Sequence, residues 1–165
     1  MSPDAELLVI FGVLHLVALV LGGALFLMDP TKPWKDQTVQ TIQAPAEGFR
    51  AWSWTSDGRY ILGQFERGTI QGGGLQLFSV ESRTFERLRD SGSMPQWLKD
   101  DRRFVFFEND KLMLMDVKSK RVKDLWSTKG IPIRALSVCR KDDSVYFIPL
   151  LTDGDIWMAT FGARK

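Results

Sequence analysis

Two segments of this 165-residue chain repeat each other at an offset of 43 residues, and that self-similarity limits the available folds more than any other feature. The first reads Trp54-Thr55-Ser56-Asp57-Gly58-Arg59-Tyr60-Ile61-Leu62 and the second Trp97-Leu98-Lys99-Asp100-Asp101-Arg102-Arg103-Phe104-Val105. A degenerate third copy begins at Cys139 and runs through Asp142 and Asp143 to Val145-Tyr146-Phe147. Each copy joins an acidic turn to a strand of aromatic and β-branched residues. The downstream halves repeat as well. Residues 75–88 match residues 112–125, each reading as alternating strand, short polar turn and alternating strand, the pattern of a β-hairpin. Residues 156–161 supply the first strand of a third such hairpin.

The segment from Trp54 to Ile61 resembles the WD40-like repeat of the TolB-type β-propellers, whose pattern is Trp-Ser-Pro-Asp-Gly-Arg/Lys followed by a short hydrophobic strand. Thr55 and Ser56 stand where that family has Ser and Pro, and the second copy carries Asp101 in place of the glycine. The resemblance covers residues 49–161 and implies a fold, with little about activity, because propellers host many functions. A closed ring needs about four to eight blades, and the chain carries two complete copies and a truncated third. The expected fold is therefore mainly β, an open, incomplete propeller-like array of about three small antiparallel sheets. A short strand at residues 38–43 is expected to serve as the missing outer strand of the last copy. The alternative architecture is a homodimer in which two half-propellers make about six blades.

Residues 7–28, LLVIFGVLHLVALVLGGALFLM, contain no charge and are long enough for one helical pass across about 30 Å of hydrocarbon. The run exceeds the length of a signal-peptide core and no Lys or Arg precedes it, so it reads as a retained transmembrane α-helix. The chain then divides into a tail and helix at 1–28, a linker with a short strand at 29–48 and the propeller-like domain at 49–165. Asp4 and Glu6 precede the run, while Lys32 and Lys35 follow it, which places the N-terminus outside and the β domain on the cytoplasmic side of an inner membrane. A periplasmic β domain is the alternative. Trp34 fits an aromatic anchor at the headgroup level.

His15 is the single histidine and lies within the apolar run. On a helix, Gly12, His15, Ala18, Gly22 and Gly23 share one face, a surface for packing against another helix. An intramembrane imidazole is either an axial ligand to haem iron or a bacteriochlorophyll magnesium, or a neutral group hydrogen-bonded to a neighbour. The single helix with a central histidine resembles the light-harvesting polypeptides of phototrophic bacteria. Phe11 stands where those have alanine, and the downstream aromatic is missing.

Active-site chemistry is scarce. One cysteine, Cys139, excludes an intrachain disulfide framework and a thiolate zinc site, and a net charge of +2 does not call for nucleic acid. The aspartates of the repeats sit where turns need their local hydrogen bonding, and residues 72–74, Gly-Gly-Gly, read as a hairpin tip because no Lys-Ser/Thr follows. The basic residues Arg83, Arg87 and Arg89 and those of residues 118–123 read as solvated hairpin edges. The tryptophans read mostly as blade core, with one or two at an interface. The expected function is a non-catalytic single-pass accessory subunit stabilising a larger membrane complex, by analogy photosynthetic or respiratory. The alternatives are a pigment- or haem-carrying subunit through His15 and a membrane-tethered protein-recognition module of the TolB-like type.

Overall fold

The computed structural model describes residues 9–11, 17–21, 24–29, 32–65, 73–139 and 144–150, with the backbone alone over the first of these up to residue 24. The described residues form four antiparallel sheets. The first contains β1 (Val9–Phe11), β2 (Val17–Leu21), β3 (Ala24–Met28) and β4 (Gln40–Gln43), in sequence order. The second contains β5 (Arg50–Trp54), β6 (Tyr60–Gln64), β7 (Leu75–Ser79) and β8 (Thr84–Arg89). The third contains β9 (Ser93–Trp97), β10 (Arg103–Glu108), β11 (Lys111–Asp116) and β12 (Val122–Ser127). The fourth pairs β13 (Ile133–Val138) with β14 (Val145–Pro149). The first strand of each sheet packs beside the first strand of the next, which is the arrangement of blades around a propeller axis.

The repeats account for this order. Arg50 and Ser93, which open β5 and β9, stand 43 residues apart, and the matching hairpins form β7–β8 and β11–β12. The turn after each inner strand closes with one recurring backbone bond: Thr55 to Tyr60, Leu98 to Arg103 and Cys139 to Ser144, each N–H donating at 2.8–3.0 Å. That bond also corrects the register of the third copy. Cys139 is the equivalent of Thr55 and not of Trp54, so Val138 takes the tryptophan position.

Residues 7–28 depart from expectation. The described residues of that run are the strands β1, β2 and β3, not a helix, and among the described residues no helix is long and apolar enough to cross a membrane. An unbroken apolar run fits a strand buried on both faces as well as it fits a helix, and periodicity alone does not separate them. Leu21 and Ala24 pair across β2 and β3, so these two strands run antiparallel to each other within the run. Leu25 and Leu27 alternate along β3 and are fully buried against Ile42 and Phe49. The strand expected at 38–43 forms at β4, yet its partner is β3 and not the last repeat. The described residues accordingly make four sheets where about three were expected.

Between blades lie three apolar layers. Ile61 and Phe78 join Leu25, Leu27, Phe49 and Trp54 between the first and second sheets. Leu62 and Leu77, one residue removed along the same strands, point the other way, onto Phe104, Phe106, Met113 and Met115 of the third sheet. Val105 and Phe107 in turn face Leu136 of the fourth. Period-two alternation thus sends successive residues to opposite neighbours, and strands 60–64 and 103–108 are apolar on both faces. The glycines at the second hairpin are tight contacts. A Cβ on Gly74 would lie 2.2 Å from the carbonyl oxygen of Arg89 and 2.5 Å from the Phe65 ring, while the Gly74 carbonyl accepts the Phe65 N–H at 3.0 Å. This segment is a close approach of two strands, which a free hairpin tip would not need. Gly74→Ala is expected to cost about 1–3 kcal/mol, read as a lowered urea midpoint with an unchanged slope.

Candidate functional site

The aspartates of the repeat are consumed by their own turns. Asp57 accepts from the Thr55 hydroxyl at 2.7 Å, from the Arg59 N–H at 3.0 Å and from Arg59 Nε at 2.5 Å. Asp100 accepts from the N–H groups of Arg102 and Arg103 at 3.1 and 2.9 Å and from Arg103 Nε at 2.6 Å. The backbone hydrogen bond from Arg59 is the main reason the Asp57 carboxyl titrates below its ordinary value. For Asp100, partial burial pushes upward but the bonds from Arg103 and Arg102 outweigh it, and the net shift is also downward. Asp116 is lowered by the Ser119 N–H, which caps the β11–β12 turn.

Asp101, the residue that replaces the repeat's glycine, has a different task. Its backbone is left-handed, φ 51°, as Gly58 is at φ 71°, a conformation aspartate tolerates better than most residues. Its carboxylate reaches back to the preceding blade, where it accepts from the Ser56 N–H at 2.7 Å and from the Ser56 hydroxyl. The blades are stitched elsewhere too. Ser53 Oγ, buried between β5 and β9, donates to the Pro95 carbonyl at 3.0 Å and accepts the Trp97 N–H at 3.2 Å. Two of the hairpin cations read as solvated edges cross between blades, Lys120 to Glu86 at 2.5 Å and Arg83 to the Gln40 amide oxygen at 3.1 Å, while Arg87 holds Glu47 of the β4–β5 connection at 2.9 Å.

A cavity of about 480 Å³ opens where the β8–β9 connection, the β10–β11 turn and the β12–β13 connection meet at one end of the sheets. Glu108 stands in its wall, nearly buried, and Arg89 from the preceding blade grips it with Nε at 3.1 Å and Nη2 at 2.7–2.8 Å. Ser91 donates its hydroxyl to the same carboxylate. Asn109 and Asp110, both left-handed at φ 48° and 58°, make the two-residue turn between Glu108 and Lys111. The Asp110 carbonyl accepts the Thr128 N–H at 2.8 Å and so ties the turn to the next connection. The Thr128 hydroxyl is buried with no partner among the described residues. Nothing in the sequence pattern singled out Glu108, and Arg89, read there as a solvated hairpin edge, is instead paired with it; that pairing arises only when two blades pack.

The outer face of the fourth sheet is the other notable surface. The shared turn bond aligns Tyr146 with Val105 and Ile148 with Phe107, the residues by which the third sheet packs onto its successor. Val105 and Phe107 are 2 % and 7 % exposed, whereas Tyr146 and Ile148 are 62 % and 59 % exposed. Phe147 points the other way and stacks on Trp126, centroids 5.0 Å apart.

Of the other residues singled out in the sequence, His15, Gly12, Gly22 and Gly23 lie outside the described residues, and Ala18 lies in β2 opposite Leu27. Trp34 sits in a one-turn 3-10 helix (Trp34–Asp36) with 78 % of its surface exposed. Trp52 and Trp54 do not share a face in simple alternation, because a bulge between Ala51 and Ser53 leaves Trp52 as the extra residue. No His, Cys, Asp and Glu grouping suited to a metal occurs among the described residues.

No protein-family model matches the sequence, and no curated protein matches it. Solved structures do. TolB from Acinetobacter baumannii superposes with a TM-score of 0.62 at 16% identity, over 86% of this chain and 36% of that one. The chain has the fold of a partial β-propeller. A TolB-like protein from Agrobacterium tumefaciens gives 0.58 at 13% identity, over 92% and 69% of the two chains. The β-propeller domain of the Trilobed protease from Pyrococcus furiosus, described as having an open velcro topology, gives 0.54 at 13% identity, over 81% and 47%. At these identities the likeness concerns fold alone, and the chain spans only about a third of the Acinetobacter protein.

Because the folded-state carboxyls of Asp57, Asp100 and Asp116 titrate below their unfolded value of about 3.9, they contribute stability above that value and lose it as pH falls through their folded values. Urea midpoints are therefore expected to hold from neutrality down to about pH 5 and to drop below about pH 4, and Asp57→Asn with Asp100→Asn should flatten that drop.

Proposed function

We propose that this protein is a non-catalytic interaction subunit of a larger assembly, docked to its partner through the outer face of the fourth sheet. The observation that carries the reading is the position of Tyr146 and Ile148, large apolar side chains exposed where the equivalents Val105 and Phe107 are covered by another blade. Leu150, two residues beyond Ile148 in the chain, is 45 % exposed as well, and an exposed apolar surface of this kind marks a contact site. The occupant that fits is a polypeptide presenting an apolar sheet face, because such a face reproduces the packing each blade makes on the next.

A protein partner also accords with what the rest of the chain offers. Asp57, Asp100 and Asp116 are spent on turns, and Asp101 and Glu108 on ties between blades. A recognition module of the TolB-like type is a second form of the same reading, favoured by the likeness to TolB structures. In it the partner is a transient protein ligand and not a permanent neighbour.

The test is mass. Extracted gently from its source, the wild-type protein should run as an assembly by light scattering, and Tyr146→Ser with Ile148→Ser should release it as a monomer. Both positions are exposed, so the variant's own stability should move by less than about 0.5 kcal/mol each, while partner binding should lose about 2 kcal/mol or more. A wild-type protein that is monomeric at every stage overturns the reading.

A further inference from the structure

The geometry points to a small-molecule site separate from the docking face: the cavity beside Glu108 and Thr128 binds a neutral polyhydroxylated compound of one or two sugar rings. Its volume of about 480 Å³ lies within the range of ordinary ligand pockets. The lining includes Phe107, Ile131 and Ile133, whose apolar side chains suit the C–H face of a ring. The same lining includes the hydroxyl-bearing Ser91, Ser93 and Thr128, the amide-bearing Asn109 and the acids Glu108 and Asp110.

Charge decides the class. Arg89, the cation paired with Glu108 beside this wall, already directs its Nε and Nη2 at that carboxylate, so a phosphate or carboxylate ligand would meet the acids Glu108 and Asp110 and no basic side chain among the lining residues described. The ligand must instead donate. Hydroxyls and an amide both donate and accept, which matches the dual character of a sugar hydroxyl, whereas an ammonium would answer the carboxylates and leave the neutral donors idle. Thr128 supplies an independent sign. It is 2 % exposed, yet its hydroxyl lacks a partner among the described residues, a state that costs about 1–3 kcal/mol unless something pairs with it. The Arg89 and Ser91 bonds hold Glu108 in place before any ligand arrives, which lowers the ordering cost of binding.

Saturation-transfer NMR and calorimetry on the full chain would use maltose and cellobiose as probes, with sodium phosphate and n-butylammonium chloride as charged comparators. At least one sugar should bind saturably in the millimolar range, and Thr128→Val and Asp110→Asn should each weaken it about tenfold. Thr128→Val preserves shape and removes the orphan hydroxyl, so its urea midpoint should equal or exceed the wild type's, and Asn suits the left-handed turn position of Asp110. Ile148→Ser, on the docking face, should leave sugar binding unchanged. The proposal is overturned if neither sugar binds saturably up to about 10 mM, if binding is indifferent to both cavity variants, or if phosphate or butylammonium binds there in their place.

Discussion

Everything in this molecule depends on strands that are buried on both faces. A sheet with one apolar face needs one neighbour, but β6 and β10 send alternate side chains to opposite sides, Ile61 and Leu62 in one case, Phe104 and Val105 in the other. Each blade is therefore incomplete until two others flank it, and burial of apolar surface at about 25 cal/mol per Å² drives the stacking. The same rule that builds the array also exposes its end. At the fourth sheet the alternation continues, with Phe147 turned inward onto Trp126 and Tyr146 turned outward, and the successor that the pattern calls for is not among the described sheets.

Polar groups fix how the blades meet. Burial alone is tolerant of sliding, whereas the Asp101 carboxylate on Ser56, the Ser53 hydroxyl between β5 and β9 and the Arg89 fork on Glu108 each require one relative position of two blades. Pro95 is accommodated within β9 because that strand lies at the inner edge of its sheet and Pro95 falls in the register shift of its pairing with β10, between Ser93 and Gln96. The Glu108 clamp has a further effect, since by holding the turn at Asn109 and Asp110 against the next connection it shapes the cavity.

The repeated parts of the fold were legible because they rest on local chemistry. The Asp57 and Asp100 turns, the two hairpins and the resulting blades follow from residue types at fixed offsets. The parts that were not legible depend on partners distant in sequence. Residues 7–28 have the composition of a membrane helix, and only the pairing of β3 with β4 and the burial of Leu25 and Leu27 make their described portion strand. The role of β4 was misjudged for the same reason, as a strand's alternation says which faces it has and not which strand lies beside it. In the candidate sites the balance was similar. The turn aspartates were readable, while Arg89, Glu108 and Thr128 become a site only through the packing of the second, third and fourth sheets. The third repeat was read one residue out of register, because an acidic pair resembled the motif more than its position in the turn allowed.

Amide hydrogen exchange on the isolated chain and on its assembly tests the central claim most directly. Two-sided burial predicts the slowest exchange in β6, β7, β10 and β11, much faster exchange in β14, and protection of β14 that rises once the protein sits in its complex. Protection in β14 of the isolated chain equal to that of β10, unchanged on assembly, would contradict the account.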